Sequence, residues 1–278
     1  MPRTYNYILR CTFISRESLE IHASEDISKV SVVSPQVLLL SLKNRHIIAG
    51  KGTIYVEASI KRVNRSKEAA RASYNRMSRW YDMIAGSTEK KYRDWGLEKL
   101  SAQPGESILE IGFGTGHCLV SLAKAVGPAG RILGLDISDG MLAIARARLQ
   151  KDRLNDRVDL HLGDAADLDF IGANILNGVF MSFTLELFDN PEIPLVLQEC
   201  HRILKPGGRL AVVSMTKTNP PGVAVRMYEW FHEHMPDYAD CRPIFARRAL
   251  EESGFEIQDV SLSSMWGLPV EITLGEKT

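Results

Sequence analysis

From residue 108 onward, short runs of apolar and β-branched residues alternate with stretches whose apolar positions recur every three to four residues. The short runs read as strands and the periodic stretches as amphipathic helices, and their alternation predicts a parallel sheet packed between helices, an α/β fold. The expected strands are residues 107–111, 131–136, 158–162, 178–182, 209–215, 255–260 and 268–274. The clearest helix spans 139–150: Met141, Leu142, Ile144, Ala145 and Leu149 share one face, Arg146, Arg148 and Gln150 the other, and Ser138 or Asp139 is placed to cap its start. Residues 191–204 repeat the pattern through Ile193, Leu197, Cys200 and Leu204, then meet Lys205-Pro206-Gly207-Gly208, which cannot continue a helix.

Upstream, residues 61–79 are rich in basic residues and alanine and read as a helix that opens a domain over 61–278. Residues 1–60 carry none of this punctuation, only short candidate strands at 47–48 and 53–58. They form an N-terminal extension of unassigned role, either an added subdomain or a segment that does not pack.

Composition narrows the partners. Of 278 residues 45% are hydrophobic and 24% charged, ordinary for a soluble globular chain with a full core. Basic and acidic residues balance at 34 each, so no net charge steers the protein toward nucleic acid, and a small-molecule or lipid-like partner is favoured. Cys11, Cys118, Cys200 and Cys241 form no CxxC pair, which argues against a zinc site or a disulfide framework and for reduced thiols in a cytoplasmic protein. The most apolar early stretch, 30–42, is interrupted by Ser31, Ser34, Pro35 and Ser41 and is shorter than the roughly 20 residues a membrane helix needs. Arg3, Arg10 and Arg16 precede the first acid, Glu17, but no apolar secretion core accompanies them.

The chemistry is concentrated where the first expected strand, Ile108-Leu109-Glu110-Ile111, runs into Gly112-Phe113-Gly114-Thr115-Gly116-His117. Alternate glycines allow positive φ and let a ligand approach the backbone at the carboxyl end of a strand. The spacing is GxGxG, not the GxGxxG of dinucleotide enzymes, whose turn seats a pyrophosphate on a helix N-terminus. Asp136 stands at the end of the next strand, in Leu133-Gly134-Leu135-Asp136-Ile137-Ser138, where a carboxylate can accept two neighbouring ribose hydroxyls. After the third strand, in Gly163-Asp164-Ala165-Ala166-Asp167-Leu168, Asp164 can accept an adenine amino group and Ala165 can offer its amide.

The ordered set LEIGFGTG, LGLDIS, GDAADL, MSF and LKPGGRLAVVS resembles the class I S-adenosylmethionine-dependent methyltransferases, and within them most closely the ubiquinone/menaquinone-biosynthesis methyltransferase family. The likeness covers residues 73–278. It implies a Rossmann-like, seven-stranded, mostly parallel sheet with helices on both faces and an antiparallel last strand, and S-adenosyl-L-methionine as cofactor. The family's Tyr-Asp pair ahead of the glycine loop is matched by Tyr81-Asp82, and the resemblance implies that Tyr74 and Tyr81 close over the cofactor. Carried over position by position, the cofactor set becomes Tyr74, Tyr81, Glu110, Gly112, Gly114, Thr115, Gly116, Asp136, Ile137, Met141, Asp164, Ala165 and Ser182. Two departures bear on the acceptor: Ser182-Phe183-Thr184-Leu185-Glu186-Leu187 stands where the quinone enzymes read Ser-Phe-Gly-Leu-Arg-Asn, and Asp164 replaces a usual asparagine.

The acceptor pocket is expected beyond the fourth and fifth strands, around residues 183–190 and 216–240, because the ligand crevice of such sheets opens at the carboxyl ends of the strands. Pro220-Pro221-Gly222 followed by an aromatic helix through Tyr228, Trp230, Phe231 and Met235 reads as a lid over an apolar or ring-bearing acceptor, or as plain core packing. Tyr228 and His232, at i and i+4, share a helix face and are the candidate catalytic residues; His117 is another possible base. His232-Glu233-His234 points its histidines to different faces, so no metal is expected. A quinol-like acceptor leads, with a phospholipid amine as the alternative. A nicotinamide-dependent oxidoreductase and a non-catalytic cofactor-binding module are the competing classes. A nucleic-acid substrate is disfavoured because no Asn-Pro-Pro-Tyr tetrad follows the fourth strand. The basic run over 61–67 is either a solvated helix face or a peripheral contact with an anionic membrane.

Overall fold

A computed structural model describes residues 62–63, 66–84, 86–217, 225 and 242–278, the side chains of 77, 79–84, 86 and 87 excepted, together with strand backbones between residues 7 and 58. The chain divides into two compact units, Met1–Lys61 and Arg62–Thr278. In the first, β1 (Tyr7–Thr12) and β2 (Ser18–Ala23) form an antiparallel pair. There β3 (Val30–Ser31), β4 (Leu38–Leu42), β5 (Arg45–Gly50) and β6 (Thr53–Ala58) form a second sheet in the order β3-β6-β5-β4. The expected strands at 47–48 and 53–58 fall in β5 and β6.

The second unit opens with helices α1 (Lys67–Ile84) and α2 (Gly86–Leu100). It continues as β7 (Ser107–Ile111), α3 (His117–Val126), β8 (Arg131–Asp136), α4 (Asp139–Asp152) and β9 (Val158–Leu162). Next come β10 (Leu176–Ser182), α5 (Glu192–Ile203), β11 (Leu204–Met215), α6 (Ala246–Glu252), β12 (Phe255–Met265) and β13 (Leu268–Lys277). The sheet order is β12-β13-β11-β10-β7-β8-β9. Strands β7 to β11 run parallel, and β13 is antiparallel to both β11 and β12. This is the expected mostly parallel sheet.

The order reverses direction at β7. Connections through α3 and α4 carry the chain outward to β8 and β9, whereas α5 carries it from β10 the other way to β11. With right-handed crossovers throughout, that reversal puts the two groups of helices on opposite faces and leaves a crevice between the carboxyl ends of β7 and β10. Being covered on both faces, the central strands bury nearly every side chain: Ile108, Leu109, Val179, Phe180, Val212 and Val213 are all at 0% exposure.

Strand β11 begins at Leu204, earlier than the apolar pattern predicts. Leu176 pairs with Leu204 and Gly178 with Arg209, so Lys205-Pro206-Gly207-Gly208 is looped out as a bulge in one strand. Strands β12 and β13 run longer than expected because they form an antiparallel hairpin at the sheet edge, whose outer positions need no apolar residue. Among the described residues no helix is long and apolar enough to cross a membrane.

Candidate functional site

Strand β7 delivers the glycine loop to the crevice. Gly112, Gly114 and Gly116 all have positive φ, at 72°, 51° and 81°. The turn is tied to β8 by Gly112 N–H donating to Leu135 O at 2.7 Å. A Cβ on Gly114 would meet nothing within 4 Å, so at this point the backbone itself borders open space. Asp136, at the end of β8, stiffens the loop from beneath: its carboxylate accepts Gly114 N–H at 2.9 Å and Ser138 N–H at 2.9 Å. Burial pushes the Asp136 carboxyl above the usual aspartate range, and the amides of Ser138, Gly114 and Ile137 draw it back. A carboxylate has about four acceptor positions, so these amides leave Asp136 acceptor capacity on the cleft.

Helix α4 starts where the pattern places it, with Ser138 Oγ accepting Met141 N–H at 3.1 Å. Asn75 on α1 reaches the same corner, accepting Ser138 O–H at 2.6 Å and Gly140 N–H at 3.0 Å. This docks α1 across the mouth of the crevice and brings Tyr74 onto its wall. Of the expected cofactor set, Tyr74, Gly112, Gly114, Asp136, Ile137, Met141, Asp164, Ala165 and Ser182 line one cleft. Ser182 Oγ is buried there without a hydrogen-bond partner.

Glu110, Thr115 and Gly116 do not line that cleft. Thr115 is buried, with its carbonyl accepting from Arg148 Nε at 2.7 Å, and Gly116 packs on Ala145, whose Cβ would lie 2.9 Å from an added methyl. Glu110 is buried within β7 beside the Cys118 thiol; burial first, and the Asp136 charge second, hold its carboxyl well above the usual glutamate range. His117 is likewise off the cleft, with Nδ1 2.7 Å from Arg148 Nη1. Tyr81 lies on α1 with its side chain outside the described residues, and Tyr228 and His232, with the whole aromatic stretch from 226 to 241, lie outside them too. Cys118 and Cys200 are free, buried thiols whose pKa values burial raises, which makes them inert.

Three features of the cleft are absent from the sequence reading. The residues just ahead of α1 and its first turn contribute Val63, Ser66, Lys67 and Ala70 to the wall. Arg62 clasps Asp189 through Nε at 2.8 and 2.7 Å, and Val63 N–H donates to the same carboxylate at 3.0 Å. Although burial pushes Asp189 up, Arg62 and the amides of Val63 and Asn190 outweigh it and hold the carboxyl at about 2. Lys67 joins Asp164 and, at 2.6 Å, Glu192; burial lowers its pKa, but the two carboxylates outweigh this and raise it. Two members of the basic run over 61–67 are thus spent on ion pairs across the cleft.

The third feature is a buried pair beneath the loop after β10. Arg242, 2% exposed, donates to Phe188 O and, at 2.7 Å, to Asn190 Oδ1. Glu186, fully buried, accepts Met215 N–H at 3.1 Å while its other oxygen has no partner. Burial raises the Glu186 carboxyl from 4.5 to about 8. Between those values the folded protein keeps a proton that the unfolded chain releases, so stability falls as pH rises through that window. Glu186→Gln keeps the acceptor for Met215 and removes the titration. Its melting temperature relative to the unmutated protein should therefore be higher at about pH 8 than at about pH 5, by at least about 4 °C. Thermal melts at the two pH values check this, and an equal difference at both would contradict it.

A methyltransferase-domain family profile matches residues 108–208, the span from the glycine loop through β10 to the bulge of β11. The chain is 34% identical over 156 residues to a demethylmenaquinone methyltransferase of Symbiobacterium thermophilum, covering 54% of this chain and 61% of that protein. It is 31% identical over 180 residues to a demethylmenaquinone methyltransferase of Listeria welshimeri, covering 65% of this chain and 73% of that one. This chain thus spans less than two thirds of the first relative's length and more than two thirds of the second's. Among solved structures, the cyclase SpnF superposes with a TM-score of 0.61 over 77% of this chain and 97% of its own, at 18% identity, a likeness of fold alone. With four of the five ordered motifs meeting in one cleft and these relatives beside them, the chain belongs to the class I S-adenosylmethionine-dependent methyltransferases, in the ubiquinone/menaquinone-biosynthesis methyltransferase family.

Proposed function

We propose that the protein transfers the methyl group of S-adenosylmethionine to a small, lipophilic, ring-bearing acceptor of the demethylated quinol type. The observation that carries this reading is the continuity of the cleft: from the glycine loop and Asp136 its wall passes Ser182 and goes on to Phe183, Leu187 and Phe188. A donor held at the first end would face an apolar surface suited to a ring. The names of the relatives support the same acceptor class.

The residues present fit the cofactor. Gly114 offers backbone with no Cβ in the way, Asp136 keeps free acceptor capacity for the ribose hydroxyls, and Ser182 Oγ is an unpartnered hydroxyl on the wall. Asp164 and Ala165 stand where the adenine edge would be read. Bound adenosylmethionine supplies an electrophilic sulfonium methyl. The protein's task is then to fix the attacking atom in line and exclude water, a contribution that can reach about 7–11 kcal/mol. Methylation at a quinol ring carbon also requires loss of a proton, for which Tyr228 and His232 are the proposed acceptors.

The test is incubation with methyl-labelled adenosylmethionine and either a short-chain demethylated naphthoquinol kept reduced in micelles or phosphatidylethanolamine vesicles. The expected result is label in the quinol and none in the lipid. Label in the lipid alone would overturn the quinol reading, and a Tyr228→Phe, His232→Ala variant with unchanged turnover would overturn the proton assignment.

A further inference from the structure

One wall of the cleft is formed by Val63, by Ser66 and by the start of α1 as far as Tyr74, and this stretch is held by charge. Lys67 bridges Asp164, after β9, to Glu192, at the start of α5, and Arg62 with Val63 N–H grips Asp189 on the loop after β10. Asp189 is itself held in place, because Arg242 fixes the carbonyl of Phe188 and the side chain of Asn190 on either side of it. At its other end the segment is anchored independently, through Arg71 to Asp139 and Asn75 to Ser138. Both carboxylates that Lys67 joins belong to residues lining the cleft, and Lys67, Val63 and Ala70 line it as well.

Ion pairs on a protein surface contribute little singly, because water screens them and long side chains lose entropy on pairing. Here the two cations are exposed, Arg62 at 63% and Lys67 at 43%, but their carboxylates are more shielded, Asp164 at 36%, Glu192 at 29% and Asp189 at 16%, and the pairs converge on one short stretch of chain.

We infer that Lys67, bridging Asp164 and Glu192, is a positioning residue for adenosylmethionine: together with the Arg62–Asp189 clasp it holds residues 62–63 and the start of α1 against the cleft. The inference rests on that cleft being the cofactor site. The ammonium also balances Asp164, which stands where related enzymes usually carry a neutral asparagine. Asp164 Oδ1 already accepts Ala166 N–H at 3.0 Å, so the Lys67 bridge and that amide together fix the orientation of the carboxylate against the cleft. The segment works as a retaining strap. It slows the escape of the bound cofactor and makes no contact with the reacting atoms.

The experiment measures equilibrium binding and dissociation rate of adenosylhomocysteine with the full chain and its Lys67→Ala, Lys67→Arg and Asp189→Asn variants, at low and high salt. Lys67→Ala is expected to bind about three- to tenfold more weakly, through faster dissociation, and Lys67→Arg to stay within about twofold of the unmutated protein. Salt should speed dissociation from the unmutated protein and have less effect on Lys67→Ala. Asp189→Asn should weaken binding to a similar extent, and the melting temperatures of the Lys67 variants should match the unmutated one, separating retention from folding. In the unmutated protein the ligand should also slow tryptic cleavage after Arg62 and Lys67. Unchanged or tighter binding by Lys67→Ala, or a dissociation rate that salt does not move, would overturn the inference. Failure of the unmutated protein to bind adenosylhomocysteine would overturn the cofactor reading and the strap with it.

Discussion

Asp136→Ala is expected to weaken adenosylhomocysteine binding by at least about a hundredfold. The proposed contacts to the ribose are two charge-assisted hydrogen bonds, each of about 1.5–3 kcal/mol, so losing both removes about 3–6 kcal/mol. A second effect adds to the first. The same carboxylate accepts the amides of Gly114 and Ser138, and truncation leaves both without their acceptor just where the loop must be stiff. Asp136→Asn retains one carbonyl acceptor and should lose less, about tenfold. Titration calorimetry of both variants, with thermal melts to show that they fold, gives the answer. A loss of less than about threefold in the folded Ala variant would mean that Asp136 organises the loop without holding the ligand.

Gly112→Ala is expected to destabilise the fold by about 2–5 kcal/mol, the sum of left-handed strain and overpacking. At φ 72° an added Cβ would lie 2.3 Å from Thr184 Oγ1, 2.5 Å from its Cγ2 and 2.9 Å from its Cβ. These atoms have little freedom to retreat, since Thr184 is 6% exposed and its hydroxyl donates to Ser182 O at 3.0 Å. Combining Gly112→Ala with Thr184→Gly should recover the steric part, leaving a coupling of about 1–3 kcal/mol in a double-mutant cycle, and should not recover the backbone strain. Denaturant unfolding of the four proteins checks this. Strict additivity would show that the loop moves away from Thr184 and that the close fit does not constrain it. The position is informative because Thr184 stands where the quinone enzymes usually carry glycine, so in this chain the glycine loop and the strand-end loop press together through a side chain.

How legible these features are depends on whether the chemistry is local. Strands β7 and β8 are readable to the residue because a parallel strand inside the sheet must be mostly apolar and glycine or aspartate ends it, and the edge strand β9, Val-Asp-Leu-His-Leu, because apolar and polar positions alternate along it up to Gly163. The Ser138 cap and seven of the nine cleft-lining residues follow from motifs at strand ends, while Tyr74 and Met141 lie on helices α1 and α4 and are reached through the family resemblance. What escapes is contact between distant polar residues. Arg62 and Asp189 are 127 residues apart and Lys67 and Asp164 are 97 apart, and in sequence such charges are indistinguishable from those of a solvated helix face. Glu110 escapes for a different reason: its place in the motif marks it as a cofactor residue, whereas the strand buries its side chain beside Cys118, away from the cleft. Glu186 is visible only as a departure from the family pattern. Its burial, and the proton it retains, come from its packing against the end of β11.

The most direct test of the cofactor site is isothermal titration of the unmutated full chain with adenosylmethionine, adenosylhomocysteine and NADH under one set of conditions. Micromolar binding of the first two, with no heat from NADH, is the predicted result and fits a GxGxG loop that seats no pyrophosphate. Binding of NADH alone would contradict it, because the cleft of Gly114, Asp136 and Ser182 would then hold a dinucleotide and the methyl-transfer reading would fall.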